Sequence, residues 1–343
     1  MSVHQSYMQR CLELAQLGLG NAQPNPLVGS VIVYNDTIIG EGYHQQYGAE
    51  HAEVNAINSV EDKTLLKKST LYVNLEPCSH YGKTPPCADL IIKHEIPHVV
   101  IGAIDEYSAV NGKGVKKLEA AGVKVELKIL EAEAKALNKR FYTFYAKKRP
   151  YIILKWAQTM DSYMDIDRSK AEKPLKITNA LADKLVHKWR SEEQSILVGT
   201  TTAIMDNPQL SVRNWEGKSP LRIIIDKNLK LSDDFNLLDK SIPTIVINFL
   251  KDEQNENMSF VKINEQNFLS ELLNVLFEKG IQSLIVEGGS FTINQFIKAD
   301  LWDEARVFIS KQVIHTGVKV PNFPGELSVE TEVGDNRLLI FLR

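Results

Sequence analysis

The sequence predicts two consecutive α/β domains. Three observations carry that expectation. Strand-like and helix-like segments alternate through both halves, as they do when helices cover a central sheet. The chain has 343 residues, more than a single core usually serves. Between the halves runs a helical stretch ending in the charged "AKKRP", residues 146–150, after which a new strand pattern begins. The domains are therefore expected at 1–148 and 149–343.

The first half opens on an amphipathic helix, with Tyr7, Cys11, Leu14 and Ala15 at helical spacing. "LVGSVIVYND" reads as a strand ending in an Asn-Asp turn, and "TIIGEGYH" as its hairpin partner. "AEHAEVNAINSV" has helical spacing, "STLYVNLEPC" is strand-like, and "PCADLIIKHEI" opens another helix. "HVVIGAID" is a buried strand, "GVKKLEAAG" a short helix and "VKVELKIL" a strand. The second half starts with the strand "YIILKWA". It continues with helix "ALADKLVHKWRSE", strand "SILVG", a Thr-rich turn, and strands "LRIIID" and "TIVIN". Helix "FLSELLNVLFEKG", strand "SLIVEGG" and helix "FTINQFIKA" follow. The polar stretches 233–238 and 251–259 read as loops.

Composition narrows the function classes. A net charge of -3 leaves no basic footprint for nucleic acid. Three cysteines do not make a disulfide framework. The N-terminus lacks the basic start and apolar core of a signal peptide, and no apolar run reaches the ~20 residues of a membrane span. A cytoplasmic enzyme acting on small molecules is expected, as a homo-oligomer, with neither nucleic acid nor membrane as partner.

Two of the cysteines, Cys78 and Cys87, fall in "LEPCSHYGKTPPC", and upstream stands "HAE" with His51 and Glu53. Thiolate and imidazole are ligands that zinc prefers, and three of them leave the fourth tetrahedral position for water. Zinc lowers the pKa of that water toward neutrality. A carboxylate two residues from the histidine then shuttles the proton to a leaving amine. Zinc deaminases pair a histidine with a non-ligand glutamate and a later Pro-Cys-x-x-Cys. Here eight residues separate the cysteines. That spacing is met if 79–86 loop out, turned back by Gly82 and Pro85-Pro86. Cys87 opens a helix, whose N-terminus favours the thiolate. Cys11 lies on the apolar face of the first helix and reads as core. His51, Cys78 and Cys87 are thus the expected metal ligands and Glu53 the catalytic carboxylate.

"PNPLVGSVIV", "HAEVNAI" and "EPCSHYGKTPPC" together resemble the bifunctional riboflavin-biosynthesis deaminase/reductase family, over nearly the whole chain. The resemblance implies a three-layer cytidine-deaminase-like domain followed by a dihydrofolate-reductase-like α/β domain. It implies zinc-dependent deamination of 2,5-diamino-6-(ribosylamino)pyrimidin-4-one 5′-phosphate, then NADPH-dependent reduction of the ribosyl group to ribityl. It places Asn25, His44, His80 and Lys83 on the first substrate. On the residues alone, Asn25 equally shapes a turn, His44 equally ends a strand, and His80 and Lys83 equally suit a solvated loop. Three rival readings stay open: a nucleoside or RNA deaminase with an appended binding domain, a monofunctional deaminase with a degenerate reductase half, and a zinc-stabilised binding module whose deaminase chemistry has been lost. The Asp-Pro-Asn-Pro usual in the family is replaced by "IDEYSAVNGKG", which keeps Asn111, Gly112 and Gly114.

The second half holds no GxGxxG fingerprint. "SLIVEGGSFTINQFIKA" instead joins a buried strand to a helix through Gly288-Gly289, a geometry suited to a phosphate. The resemblance puts Lys155, Ala157, Thr202, Asp206, Gly289 and Ser290 around NADPH. It puts Arg190, Leu210, Arg213 and Glu287 around the second substrate, arginine being suited to its phosphate. Arg190 and Glu287 read alternatively as helix-end charges. Lys227, following "RIIID", is a candidate partner for the NADPH 2′-phosphate. Departures from the family pattern are Ser162 at a usual glycine position and Lys176 in "PLKIT", where an aromatic residue is usual.

Overall fold

A computed structural model describes residues 2–81, 85–105, 111–167 and 173–343. The chain divides into two compact units, residues 1–147 and 148–343. The first contains α1 (Val3–Gln16), β1 (Gly29–Tyr34), β2 (Thr37–Tyr43), α2 (Ala52–Ser59), β3 (Thr70–Leu75) and α3 (Cys87–Lys93). It continues with β4 (His98–Ala103), α4 (Lys113–Ala120), β5 (Lys124–Glu126), α5 (Glu131–Leu137) and α6 (Lys139–Lys147).

Its sheet runs β2-β1-β3-β4-β5, antiparallel through the hairpin and parallel from β3 to β5. Side chains alternate between the two faces of each strand. Ile32, Leu71, Val73, Val99 and Ile101 therefore pack under α2, α3 and α4, through Ala56, Ile91 and Leu118. Val31, Val33, Tyr72 and Val100 face α1, through Met8, Cys11 and Leu14. The result is three layers. Helix α1 starts at Ser2 with a reciprocal capping box to Gln5. The helical stretch before 148 breaks in two at Asn138. The Asn138 side chain accepts the Leu27 N–H at 2.7 Å and donates to the Leu27 carbonyl at 2.9 Å, so it ties down the "PNPL" segment.

The second unit contains β6 (Tyr151–Gln158), β7 (Tyr163–Asp165), α7 (Ala180–Glu192), β8 (Ser195–Gly199), α8 (Thr200–Asp206) and β9 (Leu221–Ile225). Then come β10 (Thr244–Asn248), β11 (Glu253–Gln254), β12 (Met258–Lys262), α9 (Phe268–Glu278), β13 (Ser283–Glu287) and α10 (Ser290–Lys298). The chain closes with β14 (Glu304–Ile309), β15 (Val318–Lys319), β16 (Leu327–Val333) and β17 (Asn336–Leu342). The main sheet runs β11-β12-β10-β9-β8-β13-β6-β14-β17-β16. From β12 to β14 it is parallel, and β17 and β16 add antiparallel strands. One face packs Leu154, Leu197, Ile223 and Ile247 against α9 and α10. The other packs Ile153, Ile196, Ile224 and Phe308 against α7 and α8. This is the α/β architecture that the resemblance implies. No described helix is long and apolar enough to cross a membrane.

Three expectations about elements need correction. The "Thr-rich turn" is the first turn of α8, where Thr200 Oγ1 donates to the Ile225 carbonyl at 2.7 Å. A bond to the neighbouring strand overrides the weak helix propensity of threonine. The stretch 251–259 holds β11 and the start of β12, with Met258 buried at the sheet edge. In 233–238, residues Asn236–Leu238 form a 3-10 turn that buries Leu237. Ser162 sits at φ 69°, in the left-handed region, which explains why glycine is usual there. Lys176 pairs instead with Asp183 in the first turn of α7.

Candidate functional site

In the first unit the parallel strands end at one edge, where the connections leave the sheet. His51 is the N-cap residue of α2 and makes no side-chain capping bond, so its ring is available to a ligand. Cys78 follows β3, and Cys87 is the first residue of α3, behind Pro86. The Ala88 N–H donates to the Cys78 carbonyl at 3.1 Å and pulls the two ends of the spacer together. His51 Nδ1 lies 3.6 Å from Cys78 Sγ and 3.3 Å from Cys87 Sγ. All three donor atoms fall within 4.8 Å of one another. The Cys78 thiol is pulled below its usual range, first by the Cys87 thiol beside it and also by His51. The Cys87 thiol, hydrogen-bonded to Cys78 and buried, is pushed up. Two sulfurs and one imidazole nitrogen in a tight cluster fit zinc.

Glu53, in the first turn of α2, is 3% exposed and pushed up to about 7, by burial first and then by Cys78. A cavity of about 290 Å³ joins it to His51 and Cys78. Asn25, His44 and His80 line the same cavity, and Lys83 lies outside the described residues. His44 Nδ1 donates to the Glu50 carbonyl at 2.9 Å, which leaves Nε2 to accept from Asn25 Nδ2 at 3.0 Å. Burial, with His51 nearby, lowers the His44 pKa, so the ring stays neutral and keeps this orientation.

Tyr47, Glu76, Asp105, Phe141 and Tyr145 also line this cavity and were not singled out by sequence. Glu76 had a signal available, since it stands two residues before Cys78 in "EPC". Its carboxylate accepts the N–H groups of Gly112 and Gly114, both at 2.9 Å, of Val115 at 3.2 Å and of Asp105 at 3.3 Å. It thereby fastens the start of α4 beside the metal ligands. A Cβ on Gly114 would lie 2.1 Å from the Pro77 carbonyl oxygen, so glycine is required there.

In the second unit a cavity of about 880 Å³ opens where β8, β9 and β13 end. Thr202, Lys227, Gly289 and Ser290 line it, and Thr202 Oγ1 accepts the Gly289 N–H at 2.9 Å. Gly289 is the N-cap residue of α10 and has no side chain to cap the helix, a start suited to a phosphate. Lys155, Ala157 and Asp206 lie outside this lining. Lys155 instead stands 3.9 Å from Glu287, and Ala157 packs on the α7 side of the sheet. Arg190 Nη2 donates to Glu287 at 2.8 Å, while Arg190 Nε has no partner among the described residues. Burial raises the Glu287 pKa, but Arg190 and Lys155 outweigh it and hold the carboxyl at about 2. The Arg213 N–H donates to His187 Nδ1 at 3.1 Å, and Arg213 Nη1 to Gln209 and Ser211. Leu210, at φ 52°, is 3% exposed and part of the core.

Residues 1–103 match the family model for the cytidine and deoxycytidylate deaminase zinc-binding region, and residues 150–326 that for the RibD C-terminal domain. The riboflavin biosynthesis protein RibD of Aquifex aeolicus is 38% identical over 335 residues, covering 96% of this chain and 92% of that protein. That of Bacillus amyloliquefaciens is 38% identical over 318 residues, covering 90% and 84%. The crystal structure of a Thermotoga maritima diaminohydroxyphosphoribosylaminopyrimidine deaminase/5-amino-6-(5-phosphoribosylamino)uracil reductase superposes with TM-score 0.90 at 34% identity. It covers 99% of this chain and 98% of that one. Acinetobacter baumannii RibD superposes with TM-score 0.89 at 30% identity, with the same coverage. Both units thus have close structural counterparts, and the chain belongs to the RibD family of bifunctional riboflavin-biosynthesis deaminase/reductases.

Proposed function

We propose that residues 1–148 deaminate 2,5-diamino-6-(ribosylamino)pyrimidin-4-one 5′-phosphate and that residues 149–343 then reduce its ribosyl group to ribityl. The observation that carries this reading is the His51, Cys78 and Cys87 cluster sharing a cavity with buried Glu53. Zinc held by these three residues supplies Lewis acidity that makes water a competent nucleophile near neutral pH. Glu53 takes the proton from the attacking water and returns it to the amine leaving C2, so ammonia departs and an oxygen replaces it. Asn25 and the neutral His44 orient the pyrimidine, and His80 and Lys83 meet the ribose phosphate.

In the reductase half NADPH supplies the hydride. Thr202 and the Gly289-Ser290 turn hold cofactor phosphate, while Lys155, Ala157 and Asp206, outside that lining, are assigned to the cofactor away from its phosphates. Arg190 and Arg213 grip the substrate phosphate, and Glu287 sets the Arg190 guanidinium by the bond described above. Leu210 closes this site, and its buried side chain leaves its backbone to do so. We place the enzyme in the cytoplasm, where its free thiols stay reduced. Exposed Leu327, Val329 and Leu342 on the β16–β17 edge support a homo-oligomer.

A coupled assay tests the reading, following ammonia release and NADPH oxidation separately before and after zinc is chelated. Chelation is expected to abolish ammonia release while the reductase still oxidises NADPH on deaminated substrate. Ammonia release without NADPH oxidation would leave a monofunctional deaminase, and turnover confined to nucleosides or RNA would sink the assigned substrate.

A further inference from the structure

Each nitrogen of a neutral histidine ring is either a donor or an acceptor, and its partner decides which. His187, 5% exposed in α7, meets a backbone N–H, a group that can only donate. Its Nδ1 accepts that N–H from Arg213 at 3.1 Å, so the proton of the neutral ring stands on Nε2. Arg190 lies one turn further along the same helix face.

The segment 207–220, which joins α8 to β9, is folded on itself and onto α7. Arg190 Nη1 donates to the Ser211 carbonyl at 3.3 Å, and the Val212 N–H donates to Ser219 Oγ at 3.0 Å. At Gly217 the backbone comes so close to Ser191 that a Cβ would lie 2.6 Å from that side chain. Between these contacts, His187 holds the backbone of Arg213 itself. The Arg213 side chain is exposed, and Arg190 stands near enough to lower its pKa, after burial. Two neighbouring guanidiniums that repel each other are relieved by an anion placed between them.

We infer that His187 is a positioning residue for the reductase: its Nδ1, kept as an acceptor, fixes the Arg213 backbone so that the Arg213 and Arg190 guanidiniums meet the substrate phosphate together. This role rests on the reading that Arg213 grips that phosphate. Arg190 on α7, Arg213 and the Ser211 carbonyl on the loop, and Glu287 on β13 face the ring. Burial first, then the two arginines, lower the His187 pKa against the opposite pull of Glu287 and the Ser211 carbonyl. A protonated ring would set a second donor against the Arg213 N–H and release that backbone. The strap therefore holds above the His187 pKa and is lost as pH falls through it.

NADPH oxidation by the full chain on deaminated substrate tests this role. His187→Leu should raise KM about tenfold, the loss expected of one hydrogen bond to a charged group. It should leave kcat within about threefold, because ground state and transition state share the phosphate contact. Asparagine offers an amide oxygen near the place of Nδ1 and does not titrate, so His187→Asn should restore the parent KM at neutral pH. From about pH 8 down to about pH 5 the parent KM should rise more steeply than that of His187→Asn, the substrate phosphate titrating equally in both. Arg213→Gln is the control for the phosphate reading. If it raises KM while His187→Leu behaves like the parent, or while parent and His187→Asn share one pH profile, the positioning role is wrong and the phosphate reading stands. If Arg213→Gln leaves KM unchanged, both fall. Should His187→Leu fail to fold by circular dichroism, the pH comparison decides alone.

Discussion

The Glu53 carboxyl is 3% exposed, and burial with the Cys78 charge pushes its pKa up to about 7. A group that holds and releases a proton near neutrality suits the transfer from water to amine. Glu53→Gln keeps the shape and removes the exchangeable proton. It is expected to lower deamination about 10²–10⁴-fold while zinc content by metal analysis stays unchanged. Unchanged ammonia release would remove Glu53 from the mechanism. Single residues also explain two departures from the family pattern. Ser162 takes a left-handed turn at a cost of roughly 1–2 kcal/mol. Lys176, standing where the family pattern usually has an aromatic residue, forms an ion pair with Asp183.

At the scale of elements, the deaminase cavity depends on how α4 starts. Glu76 fastens its first N–H groups, and Gly114 allows the backbone to approach Pro77 to a distance no side chain tolerates. Gly114→Val must move either α4 or the "EPC" segment. Deaminase activity is expected to fall at least tenfold, with NADPH oxidation on deaminated substrate unchanged; equal loss of both activities would contradict this local role. Much of the element order was legible because buried strands and amphipathic helices carry their own periodicity. The helix α7 matches the segment read from sequence, Ala180–Glu192. What escaped has a physical reason in each case. Helix α8 starts with threonines held by contacts to β9 and to Gly289. Strands β14, β16 and β17, beyond the last element read from sequence, complete the sheet. Of these, β16 is almost wholly exposed and shows no buried face for a pattern to reveal.

Across the whole molecule, each unit buries its own core on both faces of its own sheet. In the second unit, residues distant in sequence are held by buried charge. Arg149 meets Asp303 through two bonds, of 2.5 and 2.9 Å, and Asp303 Oδ2 also accepts the Ile152 N–H at 2.9 Å. This clamp ties the start of β6 to the segment before β14. Asp303→Ala would strand a buried guanidinium, so a loss of about 3–5 kcal/mol in unfolding free energy is expected from chemical denaturation. A loss under 1 kcal/mol would show the clamp to be dispensable. Deaminase activity should survive at denaturant concentrations where NADPH oxidation is already lost.

By itself the sequence determined the chemistry of the metal centre. His51, Glu53, Cys78 and Cys87 are identified by residue type and by the His-x-Glu and Pro-Cys patterns they stand in, and ligand preference belongs to the side chains themselves. It also determined the alternation of strand and helix, a property of neighbouring residues. Only the tertiary structure decided which distant residues share a wall. It brought Asn25 to His44 and Glu76 to Gly114. It also separated Lys155, Ala157 and Asp206 from the lining where Thr202 and Gly289 meet. Those juxtapositions depend on strand order and on the turns that close it, and no local periodicity encodes them.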